Sequence, residues 1–153
     1  MRSSSSDAHF RDGRLRSRAV LGLDALASLY AAVAEAYAGA GLPRDAGGYA
    51  AHALTFADTD AVRYRAASVQ TLVLALNGEL TAAEAMAGRC AELTASNGWS
   101  LLDTDYDLVL AEILLASAAF DAPRLKRAAT LLRAIAPRDP YAQHAAAAAD
   151  GIR

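Results

Sequence analysis

The chain has one cysteine, one tryptophan, one lysine and four prolines in 153 residues, and these scarcities exclude several kinds of protein. Cys90, alone, can neither close an internal disulfide nor build a thiolate zinc cluster within one chain. No run of about 18 uncharged apolar residues exists, the length a spanning helix needs, because Asp24, Glu35, Arg63, Arg65, Glu84, Arg89 and Glu112 interrupt every candidate. The opening Met1-Arg2-Ser3-Ser4-Ser5-Ser6-Asp7 holds no apolar segment ahead of a cleavage site, so no secretory signal is read and the cytoplasm is the expected compartment. Period-two alternation of β-branched residues is missing as well, so no sheet is expected.

What is present favours one folded, helical domain. Hydrophobic residues make up 54 % of the chain and charged ones 21 %, with a mean hydropathy of +0.15, too apolar for an intrinsically disordered chain. The length suits one domain with a single core. Alanine is about a quarter of the residues, and with Leu, Arg and Glu it forms the best set of intrinsic helix formers. Charge is unevenly spread: residues 1–18 hold five arginines against two aspartates, a net of +3, which leaves −5 for the rest within a total of −2. A basic Ser/Arg leader over 1–17, read as a solvated disordered arm, therefore precedes an acidic domain over 18–153.

From Arg18 onward apolar residues recur at helical spacing and turn residues fall in the gaps, which predicts seven helices. The first, over 18–38, carries Leu23, Leu26, Tyr30, Val33 and Tyr37 on one face and stops at Gly39-Ala40-Gly41-Leu42-Pro43. The second, over 44–57, contains Gly47-Gly48, a pair costing about 2 kcal/mol relative to alanine, which predicts a late or frayed start. Thr59-Asp60 can cap the third, which ends at Asn77-Gly78. Thr81-Ala82-Ala83-Glu84 matches a capping box for the fourth, which ends at Asn97-Gly98. Ser100 can cap the fifth, with Asp103 in its first turn; Asp121-Ala122-Pro123 and Asp139-Pro140 start the sixth and seventh. The last carries an alanine run over 145–149 and reads as a terminal lid.

Loops of a few residues make successive helices antiparallel, so the first six form three hairpins. Gly41 and Gly78 stand 37 positions apart, and Ala46 with Ala83, Ala50 with Ala87 and Ala53 with Cys90 keep that offset. Small residues at such places let two helices approach closely. On these residues the chain resembles the tetratricopeptide repeat (TPR) family, a two-helix motif with small residues at fixed places, a tyrosine late in its first helix and a terminal proline. The matching residues are Ala34, Tyr37, Gly41, Ala46, Ala50 and Ala53 in the first hairpin, and Thr71, Leu74, Gly78, Ala83, Ala87 and Cys90 in the second. Ile113, Ala116, Phe120, Leu125, Ala129, Leu132 and Pro137 occupy those places in a third, irregular hairpin. The plain alternative is an irregular antiparallel helical bundle.

Few constellations offer chemistry. His9, His52 and His144 lack a partner at the i+3 or i+4 spacing of a helical metal site. In the acidic run Asp103-Thr104-Asp105-Tyr106-Asp107 only Asp103 and Asp107 share a helix face, too few carboxylates for a divalent cation and better suited to a solvated helix start or a basic partner. Cys90 reads as a buried small hydrophobe and Trp99 as a plug between hairpins. Glycine-rich phosphate loops and dinucleotide fingerprints are not found.

The resemblance implies a concave surface lined by the first helix of each hairpin. Carried through the match, its lining positions are Ser28 and Glu35 on the first helix, Arg65 and Ser68 on the third and Asp107 on the fifth. It implies a non-catalytic adaptor or regulator that binds a protein or peptide, with no cofactor, metal or catalytic residue. Related domains form the sensor portions of bacterial transcription regulators, but about 26 residues before the repeats are too few for a helix-turn-helix domain, so nucleic acid is not an expected partner. The alternatives are an accessory subunit of a peptide-modifying enzyme, an all-α enzyme acting on a small peptide, or a homodimer through an apolar flank.

Overall fold

The computed structural model describes the backbone of residues 5–99 and 106–152 and the side chains of residues 22–99 and 106–152. The described residues form seven helices: α1 (Ser5–Gly39), α2 (Pro43–Phe56), α3 (Asp60–Leu76), α4 (Leu80–Asn97), α5 (Tyr106–Ala118), α6 (Ala122–Ile135) and α7 (Pro140–Gly151). Among the described residues there is no strand, and the class is all-α as the composition predicts. α1 begins at Ser5 instead of residue 18, so the backbone of the expected arm is helical over 5–17; the side chains of residues 1–17, and Ser100, Asp103 and Asp105, lie outside the described residues. No described helix is long and apolar enough to cross a membrane.

Consecutive helices pack side by side, and the odd-numbered helices also touch one another in the order α1, α3, α5 and α7. Four helices end in the same way. At the ends of α1, α3, α4 and α5 the backbone turns left-handed at Gly41, Gly78, Gly98 and Phe120, with φ of 79°, 76°, 64° and 53°. In each case the following N–H donates to the carbonyl five residues back, from Leu42 to Tyr37, Glu79 to Leu74, Trp99 to Thr94 and Asp121 to Ala116. Glycine takes this conformation freely, whereas a Cβ crowds the carbonyl and costs about 1–2 kcal/mol. Phe120 carries that cost with its ring exposed to solvent. Phe120→Gly is therefore expected to raise stability by about 0.5–1 kcal/mol, read as a higher urea midpoint at unchanged slope.

Packing departs from the expected stripes. On α1 the fully buried residues are Ala27, Ala31 and Ala34, while Leu23 of the predicted apolar face is 40 % exposed. Ala31 and Ala34 meet Ala46, Ala50 and Ala53 of α2 and Ala66, Val69 and Val73 of α3, a crossing that favours small side chains. The tyrosines of the predicted face lie beside it: Tyr37 stacks on Tyr49 at 5.3 Å, and Tyr30 meets Tyr49, His52 and Phe56 at 5.3–6.2 Å.

Several helix starts also differ. α2 begins at Pro43, ahead of Gly47-Gly48, because proline presets the first turn and buried Ala46 and Ala50 hold the helix across the pair. The capping box at Thr81 is not formed: Glu79 precedes α4, Thr81 lies inside it, and Glu84 is engaged by Arg124 instead. Thr59 stands at the start of α3, but its hydroxyl donates to Asp24 of α1 at 2.8 Å rather than capping the helix. The Asp24 carboxylate also accepts the backbone N–H of Asp58 at 2.7 Å, which chiefly holds its pKa below the usual value. Asp121 and Asp139 cap α6 and α7 as the sequence predicts, accepting from the backbone N–H of Arg124 and Tyr141.

Candidate functional site

The row of odd-numbered helices leaves a cleft of about 460 Å³. Its apolar walls are Leu72 and Leu76 of α3 and Leu110, Ile113 and Leu114 of α5, with Ala38 and Gly39 of α1 opposite. Helical spacing explains this sharing, since Leu72 and Leu76 are one turn apart, as are Leu110 and Leu114. Glu35 of α1 and Asp107 of α5 add acidic groups to its lining, and Tyr106 and Tyr141 line it as well.

Arg65 of α3 joins the two acids. It lies two turns before Leu72, donates from one guanidinium nitrogen to Glu35, and places the other 3.4 Å from Asp107. Asp107 is buried, 6 % exposed, whereas the Arg65 side chain is 38 % exposed. Three elements distant in sequence thus meet through one arginine that bridges two carboxylates.

Tyr106 ties α5 to the turn before α7 by donating its hydroxyl to Asp139. Burial, and then this bond to a carboxylate, push its phenol up to about 12. A raised phenol pKa means that the folded state favours the protonated form. The stability it contributes is complete below pH 10 and is lost as the pH rises toward 12. Ultraviolet titration is expected to show one tyrosine ionising near pH 12, and the Tyr106→Phe variant to lack that step.

Of the five lining positions taken from the repeat resemblance, Glu35, Arg65 and Asp107 come together at the cleft. Ser28 is exposed on α1 and does not line the cleft. Ser68 is fully buried and donates to the carbonyl of Tyr64, so it faces the helix packing rather than the cleft. Cys90 is buried, as expected, with its sulfur 4.0 Å from the hydroxyls of Ser68 and Thr71. Trp99 packs edge-on against Tyr64 at 5.5 Å. Among the described residues, no three His, Cys, Asp or Glu side chains are grouped so that they could hold a metal ion.

The leucine walls were not singled out as ligand-facing by the sequence. Their signal was the i, i+4 pairing of Leu72 with Leu76 and Leu110 with Leu114, which reads equally as core. No family model, curated protein or solved structure matches this chain.

Proposed function

We propose that the protein is a small TPR-like binding module, an adaptor or regulator without catalytic activity, that holds a segment of a protein or peptide in the cleft formed by α1, α3, α5 and α7. The observation that carries this reading is the cleft itself, with five branched aliphatic side chains along its walls and ion-paired carboxylates in its lining. Such a combination of apolar surface and a few placed polar groups is the usual make-up of a binding site. The 37-residue offset of small residues in the sequence supports the repeat reading. Both carboxylates of the site are engaged by Arg65, an arrangement that suits recognition of charge.

Selection from a phage-displayed library of random 12-residue peptides tests the proposal. Related peptide sequences are expected to enrich on the natural protein and to be lost on Leu76→Trp, which fills the cleft from an exposed position while the helical circular dichroism is kept. Enrichment of no sequence, or equal enrichment on both proteins, would overturn it.

A further inference from the structure

We infer that α1 is the seam of a homodimer, pairing antiparallel with α1 of a second copy along a face that lies away from the cleft. Apolar residues recur along α1 at alternating spacings of four and three, at Gly22, Leu26, Leu29, Val33, Ala36 and, just past its end, Ala40. The sequence carries the same spacing back to Ala19 and Leu15. This is the heptad pattern by which two helices coil together. It stands well round the helix from Ala27, Ala31 and Ala34, which are buried within the chain. Leu29 is 60 % exposed, Gly22, Ala36 and Ala40 are exposed as well, and Leu26 and Val33 are half-buried. A solvated helix face ordinarily carries charge. Here the only charged residues over 19–40 are Asp24 and Glu35, and both turn into the chain, Asp24 onto the Asp58 N–H and Glu35 onto Arg65.

The register selects a second copy as the occupant. Set antiparallel with Leu26 beside Leu29 of the other copy, the face matches itself: Gly22 falls opposite Val33, Ala36 opposite Ala19 and Ala40 opposite Leu15. A parallel pairing sets each residue against itself, Gly22 on Gly22 and Val33 on Val33, a void beside a crowded layer. Charge points the same way. Residues 5–18 hold four arginines against two aspartates, a net of +2, and α1 has no basic residue in its last turn to offset the negative end of its dipole. Antiparallel pairing lays the basic half of each helix alongside the C-terminal end of the other, whereas a parallel one brings two basic halves together. The seam also has length. Among the described residues α1 packs chiefly on α2 and α3, whose connecting turn binds Asp24, and α1 continues for about 28 Å beyond that turn.

Equilibrium ultracentrifugation of the full chain at micromolar concentration tests the inference, with twice the 15.9 kDa chain mass as the expected result. Leu29→Glu is expected to weaken the dimer at least about a hundredfold, since the twofold places two carboxylates in the seam. Leu29 is exposed in the single chain, so the variant should keep its helical dichroism, and Ala36→Glu, also at an exposed position, is a second disruption of the same seam. Leu80→Glu, at an exposed leucine of α4, should leave the dimer intact. Nitroxide labels on Ala40→Cys report the orientation, because Cys90 is buried and the two labels stand about 37 Å apart along an antiparallel seam but side by side in a parallel one. A single-chain mass, a dimer that survives both seam variants or is lost equally with Leu80→Glu, or labels found side by side would overturn the inference. None of these outcomes bears on the cleft, which lies on another side of α1.

Discussion

Truncation of Leu125 to alanine is expected to lower the unfolding free energy by about 3–4 kcal/mol and the thermal midpoint by about 10 °C. Leu125 of α6 is fully buried and among the largest side chains that are. Its buried companions are Ala116 of α5, Ala129 of its own helix, and Ala145 and Ala149 of α7. Alanine methyls fixed to the backbone cannot swing into a void, whereas Ile113 and Ile152 at the edge of the cluster can, so the cavity closes only in part. The cost therefore belongs in the middle of the range known for leucine-to-alanine changes. Chemical denaturation with two probes, far-ultraviolet dichroism and tyrosine fluorescence, measures it, and a loss below about 1.5 kcal/mol would show that α6 and α7 close over the gap.

Replacing Arg124 by methionine is the other large change, expected to cost about 2–3 kcal/mol. The guanidinium donates to Glu112 twice at 2.9 Å and to Glu84 at 2.6 and 3.0 Å, so one side chain of α6 holds α5 and α4 by paired hydrogen bonds. These bonds raise its pKa above the ordinary arginine value, the Glu112 contribution first. Direct packing between α4 and α5 is thin, which gives the clamp its weight. The Glu84 side chain is 46 % exposed, so its share is screened by water and the figure is set below that of a buried pair. Methionine keeps the stem's packing, which confines the loss to the ionic part. High salt should narrow the difference between the two proteins, and a loss unaffected by salt would assign it to packing.

The helices were legible because their punctuation is chemical: Gly41, Gly78 and Gly98 stop helices by entering the left-handed region, and Asp121-Ala122-Pro123 and Asp139-Pro140 start them. Phe120 shows where that code fails, since it performs a glycine's task at a cost no propensity scale anticipates. The buried face of α1 was misjudged for a related reason. Large apolar residues ordinarily mark the core, but here the closest crossings favour alanine, and in a chain that is about a quarter alanine such positions carry no contrast. Glu35, Arg65 and Asp107 were legible only as separate groove positions. Their union depends on how far one helix slides along the next, a distance that local sequence does not encode.

The neighbour pattern of the helices bears on how the molecule comes apart. The substantial contacts among the described residues join a helix only to the next or the next but one, so the two ends are linked chiefly through α3 and α5. Native-state hydrogen exchange should accordingly show graded protection, with α7 opening while α2 and α3 remain closed. The cleft, however, is bordered by α1 and α7 as well as by the helices between them. A molecule lying along it bridges elements that the chain itself packs together only sparingly, and turns piecemeal opening into a single concerted transition.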